Sequence, residues 1–322
     1  MRRREFITLV AGVAATLPLA ARAQEAGRHY RLGFLVPVAR RSAAVDAMFD
    51  EFRRNGFVEG QNLTVIGSFG VTSEQIADAV SAVVTAAPDA IVAGPELYTR
   101  ALQAATRTIP LVSISEDLVS EGLVVSLAKP GGNITGISLL SPELDDKRQD
   151  ILVDAVPGIR RMAALADLSI TQKRHLQQQQ EVARSRGVEL SIFSYAKADD
   201  IAPALDEAKA WGAEAVNFLA SPMQLISRGL IFDRMMALRL PAIYQWPDMA
   251  EEGGLMGYGP GFLQVSRQRA RQVVKILRGV KPTDLPVEQP SKFELAINLR
   301  TAKALGHEIP AGLVLRADKV IE

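Results

Sequence analysis

Short apolar runs alternate with stretches of helical apolar spacing along this chain, and the whole pattern is carried through once and then repeated. Leu32 to Val36 is an apolar run closed by Pro37, and from Ser42 the residues Val45, Met48, Phe49 and Phe52 recur at steps of three and four until Gly56. Leu63–Ile66 precedes a helix opening at Ser73, Ala90–Ala93 precedes one opening at Glu96, and Ile109–Ile114 supplies a fourth strand. Strands that alternate with helices over short connections form βαβ units, hence a parallel sheet with right-handed crossovers. After position 140 the order begins again: helix 142–156, strand 162–166, helix 171–186 stopped by Gly187, strand 188–193, helix 199–211, strand 215–219, helix 225–238 and strand 241–244. A chain of 322 residues exceeds what one hydrophobic core supports. The expected fold class is therefore α/β, with two Rossmann-like lobes built on parallel sheets.

Three segments fit neither lobe's rhythm. Pro130-Gly131-Gly132-Asn133 leads into Ile134–Ser138, Gly253 to Pro260 leads into a helix from Phe262 to Leu277, and Pro282 to Pro290 leads into Phe293–Ile297. Glycine and proline suit a chain passing between two bodies, so these are read as three hinge crossings. The expected division is residues 30–135 with 259–283 in one lobe, and 136–258 with 284–322 in the other.

Residues 1–23 read as an export signal: Arg2-Arg3-Arg4, an apolar stretch from Ile7 to Leu19, and the small-residue site Ala21-Arg22-Ala23 before Gln24. The arginine pair also fits a twin-arginine leader, and either export route delivers the chain outside the cytoplasm. No cysteine is present, which excludes disulfides, a thiolate nucleophile, cysteine metal sites and a lipidated N-terminus. Lysines and arginines number 37 against 36 acids, and loss of the leader would remove four arginines and one glutamate. A chain so close to neutral carries no electrostatic footprint for nucleic acid and no basic segment for a membrane surface. The expected state is a monomer with no stable membrane insertion once the leader is gone.

Catalytic constellations are missing from the sequence. His29, His175 and His307 stand apart and are expected to be solvated, as is the run Gln177–Gln180. There is no G-x-S-x-G elbow, H-E-x-x-H or phosphate loop, so no enzyme, metal or cofactor is expected.

Polar and aromatic residues do cluster at the carboxyl ends of the expected strands, where open α/β sheets bind ligands. The candidates are Val38, Arg41, Ser42, Pro95, Glu96, Ser115, Glu116, Asp117 and Ser138 in the first half, and Asp167, Ser169, Ser221 and Pro222 in the second. Tyr244, Trp246 and Tyr258 join them near the second crossing. Serines at helix starts either cap the helix or hold a carboxylate. The acids suit an ammonium, the arginines Arg40 and Arg41 a carboxylate, and the rings an apolar ligand body.

Several long motifs resemble the ABC transporter substrate-binding protein family, whose Gram-positive relatives take up tryptophan or tyrosine. They are the leader, Gly122–Gly136, Leu240–Tyr244, Gly253–Pro260 and Leu285–Leu295. The resemblance covers essentially the whole chain and implies a type I periplasmic binding fold, a small-molecule ligand between the lobes, and an ABC permease as partner. Two departures fall on expected cleft loops. Members usually carry Gly-Asp-Pro-Val where this chain has Glu116-Asp117-Leu118-Val119, and often Asn-Pro where it has Leu168-Ser169, so only Asp117 carries over at the first loop. The leading expectation is a periplasmic solute receptor for an amino acid or aromatic acid. A sensory module for a chemoreceptor or kinase, and an exported enzyme using Glu96, Glu116 and Asp117, are the alternatives.

Overall fold

The computed structural model describes residues 27–322, so the export signal lies outside the described residues. Five parallel strands make the first sheet: β1 (Tyr30–Val36), β2 (Leu63–Phe69), β3 (Ala90–Ala93), β4 (Leu111–Ser115) and β5 (Ile134–Ser138), in the order β2-β1-β3-β4-β5. Helices α1 (Ala43–Arg54), α2 (Ile76–Thr85) and α3 (Glu96–Ala105) connect the first four strands. Leu32, Phe34 and Leu35 of β1 have no exposure, as a central strand covered on both faces requires. Phe34 packs with Phe49 and Phe52 of α1, while Leu35 meets Val80 and Val83 of α2 on the opposite face.

The second sheet has seven strands in the order β12-β11-β10-β9-β8-β6-β7. These are β6 (Arg161–Asp167), β7 (Glu189–Tyr195), β8 (Ala215–Phe218), β9 (Ala242–Tyr244), β10 (Met256–Gly259), β11 (Glu294–Asn298) and β12 (Lys319–Ile321). Every neighbouring pair is parallel except β10 with β11. Around it lie α4 (Ser141–Ala155), α5 (Lys173–Ser185), α6 (Ile201–Trp211), α7 (Pro222–Ile226), α8 (Arg228–Leu238) and α9 (Pro247–Glu251). The single helix expected over 225–238 is two, because the chain breaks at Ser227 between α7 and α8.

Helix α10 (Phe262–Leu277) leaves the second sheet and returns to the first, where Ala270, Val273 and Val274 join the core made by β1 and α1. Helices α11 (Leu299–Leu305) and α12 (Ala311–Val314) close the second half. Two stretches assigned from sequence to the second lobe stay with the first sheet. Strand β5 remains paired with β4 as far as Ser115 opposite Ser138. The Glu288 N–H donates to the Gly136 carbonyl and the Ser138 N–H to the Glu288 carbonyl, which holds the stretch before β11 beside β5. Hydrogen bonds, which the apolar pattern does not reveal, place the first crossing at Leu139–Leu140. Leu140 takes a left-handed backbone there, with φ of 57°. Gly136, at φ of 147°, can only be glycine: a Cβ would stand 2.0 Å from the Ser113 carbonyl oxygen of β4.

Candidate functional site

In the first sheet the strand order reverses between β1 and β3, and the carboxyl ends of those two strands open a crevice. Pro37 and Val38 leave β1 there, and Gly94 and Pro95 leave β3. A cavity of about 90 Å³ fills the crevice, with Phe34, Val36 and Met48 on its first-sheet side. Pro222, Leu225, Ile226 and Trp246 close it from the second half, and Phe262, Ser266 and Arg269 of α10 complete the wall. Trp246 is 4% exposed and meets Phe262 edge-on at 4.9 Å between centroids. Gly257 makes that placement possible, since a Cβ would come within 2.2 Å of the Trp246 carbonyl oxygen.

One cation borders this apolar space. Arg269 is 6% exposed, and its Nε and Nη2 donate to the Val112 carbonyl at 3.2 and 3.0 Å; Nη2 also donates to the Ala93 carbonyl. Val112 is the last β4 residue paired with β3, and Ala93 follows the last paired residue of β3, Val92, so the guanidinium sits where the two strands part. No carboxylate among the described residues pairs with Arg269. Burial pulls its pKa down to about 9.

A second cavity of about 200 Å³ adjoins the first, with Glu116 lining both. Its walls are acidic and polar, including Asp117, Glu121, Glu143, Asp145, Arg174 and His175. Burial pushes the Glu121 carboxyl up to about 7; the Ser115 hydroxyl and Asp117 N–H oppose this, and the charges of Glu96 and Glu116 add to it. Between the cavities, Gln245 donates to Glu116 at 2.9 Å and accepts from the Ser221 N–H at 3.2 Å. That side chain ties the second half of the molecule to the first.

Under the second cavity lies a buried charge network. Asp145 accepts from Arg148 Nε at 3.1 Å and from the Ala220 N–H at 3.1 Å, and stands 2.8 Å from His175 Nε2. Arg148, with no exposure, donates also to the Tyr258 carbonyl at 2.9 Å. Nearby, Asp167 accepts from Ser169 Oγ at 2.5 Å and Ser221 Oγ at 2.7 Å.

The family model for ABC transporter substrate binding protein matches residues 36–321. The chain belongs to that family. The substrate-binding protein is also similar to the tyrosine-binding protein of Clostridioides difficile (strain R20291), at 24% identity over 208 residues. That match covers 62% of this chain and 58% of the relative's length. Among solved structures, an ABC domain from Streptococcus pneumonia in complex with L-Trp superposes with a TM-score of 0.80 at 21% identity, covering 91% of this chain and all of that one. A conserved domain protein from Vibrio cholerae gives 0.82 at 24% identity, with the same coverage of both chains. The fold is the type I periplasmic binding fold. The family is one of binding proteins and not of enzymes.

In this substrate-binding protein, Val38, Pro95, Ser115, Glu116, Pro222 and Trp246 line the first cavity, and Glu116 and Asp117 line the second. The other sequence candidates line neither. Arg41 is exposed; Ser42 caps α1 by accepting from the Val45 N–H at 3.4 Å; and Glu96 pairs with Arg100 at 2.6 Å. Ser138 ends β5, where its N–H donates to the Glu288 carbonyl. Asp167, Ser169 and Ser221 satisfy one another, and Ser221 also caps α7. Tyr244 is 1% exposed within the second core, against Phe218 and Phe232, because the ring on this short strand points to the helix-covered face. Tyr258 packs on the other core cluster of the second half.

His29, Gln177, Gln178 and Gln180 are exposed as expected, but two histidines and one glutamine differ. His175 is held by Asp145, and His307 Nε2 lies 2.9 Å from the Ala155 carbonyl. Gln179 is fully buried under α4, its carbonyl accepting from Gln149. Residues missed from sequence include Phe34, Met48 and the α10 trio Phe262, Ser266 and Arg269. Arg269 had a signal: it interrupts the apolar stripe Phe262, Val265, Val273 and Ile276 at helical spacing.

Proposed function

We propose that this protein is a periplasmic solute receptor that delivers a small organic solute, of amino-acid or aromatic-acid type, to an ABC permease. The observation that carries the reading is the apolar cavity at the strand-order reversal, whose walls come from both halves of the molecule. A solute there touches both halves only when they meet, so its binding shifts the population toward the closed form that a permease would read. The relatives whose names carry tyrosine and L-Trp support an amino-acid-like ligand. Trp246 and Phe262 offer faces and edges to a ring. The leader at 1–23 supports export, and no described helix is long and apolar enough to cross a membrane. The chemistry is binding and release, with no covalent step.

A thermal-shift screen of amino acids, aromatic acids, sugars and nucleosides tests this reading. A true ligand at 100 times its Kd adds about 2.7 kcal/mol to stability. The same ligand should change intrinsic fluorescence, and Trp246→Ala should lose most of that change, leaving only Trp211. Turnover of a substrate with no thermal shift from any solute would overturn the receptor reading.

A further inference from the structure

We propose that Arg269 reads a carboxylate in the first cavity, so that the solute is an apolar acid whose negative charge supplies the counter-ion this guanidinium lacks. The inference rests on the solute-receptor reading and names the ligand class within it. A guanidinium taken out of water is costly unless a charge of opposite sign or a full set of acceptors compensates it. Arg269 has acceptors on one edge only. Its Nε and Nη2 are taken by the Val112 and Ala93 carbonyls, and Nη1 takes no part in those bonds, while the residue borders the cavity.

Joining β3 to β4 at the point where they part explains one edge of the group. It leaves a permanent positive charge beside a space lined by Phe34, Met48 and Trp246, where water and salt screen little. The hydroxyls on the same wall are committed elsewhere, Ser115 to Glu121 and Ser266 to the Phe262 carbonyl. The carbonyl bonds also fix the planar fork, so a carboxylate meets a donor already oriented and loses little side-chain entropy on binding. An acid with an apolar body therefore satisfies the charge and the surface together. Glu116 stands where the two cavities join, in reach of an amine on the same solute. The test separates acids with and without that amine.

The probes are two acid and amide pairs: 3-phenylpropanoate with 3-phenylpropanamide, and L-phenylalanine with L-phenylalaninamide. Each is titrated against the full-length mature protein up to 10 mM by tryptophan fluorescence and thermal shift. At least one acid should bind, and its amide should bind at least tenfold more weakly, about 1.4 kcal/mol. Arg269→Met should remove that difference between acid and amide, and Arg269→Lys should restore part of it. The wild-type comparison stands even where a variant fails to fold. Amides binding as tightly as acids would overturn the assignment of Arg269. A neutral sugar or nucleoside that binds while both acids are silent would also overturn it, and would leave the receptor reading standing. Silence of every solute would remove both.

Discussion

The two cavities on either side of Glu116 are built from opposite materials. The first is apolar, set at the ends of β1 and β3, and its one cation has no acidic partner. The second is lined by five carboxylates and two basic groups, and beneath it the acid Asp145 is matched by Arg148, His175 and the Ala220 N–H. The charge of Asp145 is answered from within the chain, whereas no carboxylate among the described residues answers Arg269. The contrast separates a network inside the second half from an apolar space walled by both halves.

The largest expected effect lies in the network. Asp145→Ala leaves Arg148 buried without its carboxylate and should lower unfolding free energy by about 3–5 kcal/mol in urea titrations, while any ligand-induced fluorescence change at Trp246 survives. A loss below about 1 kcal/mol would mean that the second region is not internally matched. Next comes Glu121, whose folded carboxyl titrates near 7 against an ordinary value of 4.5. The folded state then holds a proton that the unfolded chain has released. Stability from this group is full below about pH 4.5, falls as pH rises and is gone above about 7. Glu121→Gln should abolish a decline of about 3 kcal/mol across that window, read as the difference between wild-type and variant melts. An identical pH dependence in the two proteins would remove Glu121 from the buried acids. The smallest effect belongs to the bridge. Gln245→Leu should cost about 1 kcal/mol and raise the radius of gyration of the solute-free protein in X-ray scattering. An unchanged radius would show that the two regions are held together by something other than Gln245.

The fold was legible because its signals are local. Strand and helix periods announced each βαβ unit, and the glycine and proline clusters marked the passages between sheets. What stayed hidden needed partners distant in sequence. Strand β5 reads as the start of a new unit, yet its bonds to Ser113 and Glu288 keep it in the first sheet. In the candidate site, the rule about strand ends named Val38, Pro95, Ser115, Glu116 and Trp246, which line the first cavity. It overreached at Tyr244, where a ring at a strand end turned into the core, and at Ser221 and Asp167, which spend their polar groups on each other. Arg269 escaped although its helix was assigned to the first lobe, because the rule about strand ends looks to loops and Arg269 lies in the interior of α10. The polar interruption of its apolar stripe was legible, but nothing local shows that this point of the helix faces the ends of β3 and β4.

The antiparallel pairing of β10 with β11 sets Gly259 opposite Glu294, so two of the three passages depart from adjoining backbone positions. They behave as one ribbon, and the remaining passage at Leu139–Leu140 is the other anchorage. Two anchorages define a line. The ladder between β10 and β11 holds those two passages side by side, so on the receptor reading proposed above a closing motion would turn about the line from that ladder to Leu139–Leu140.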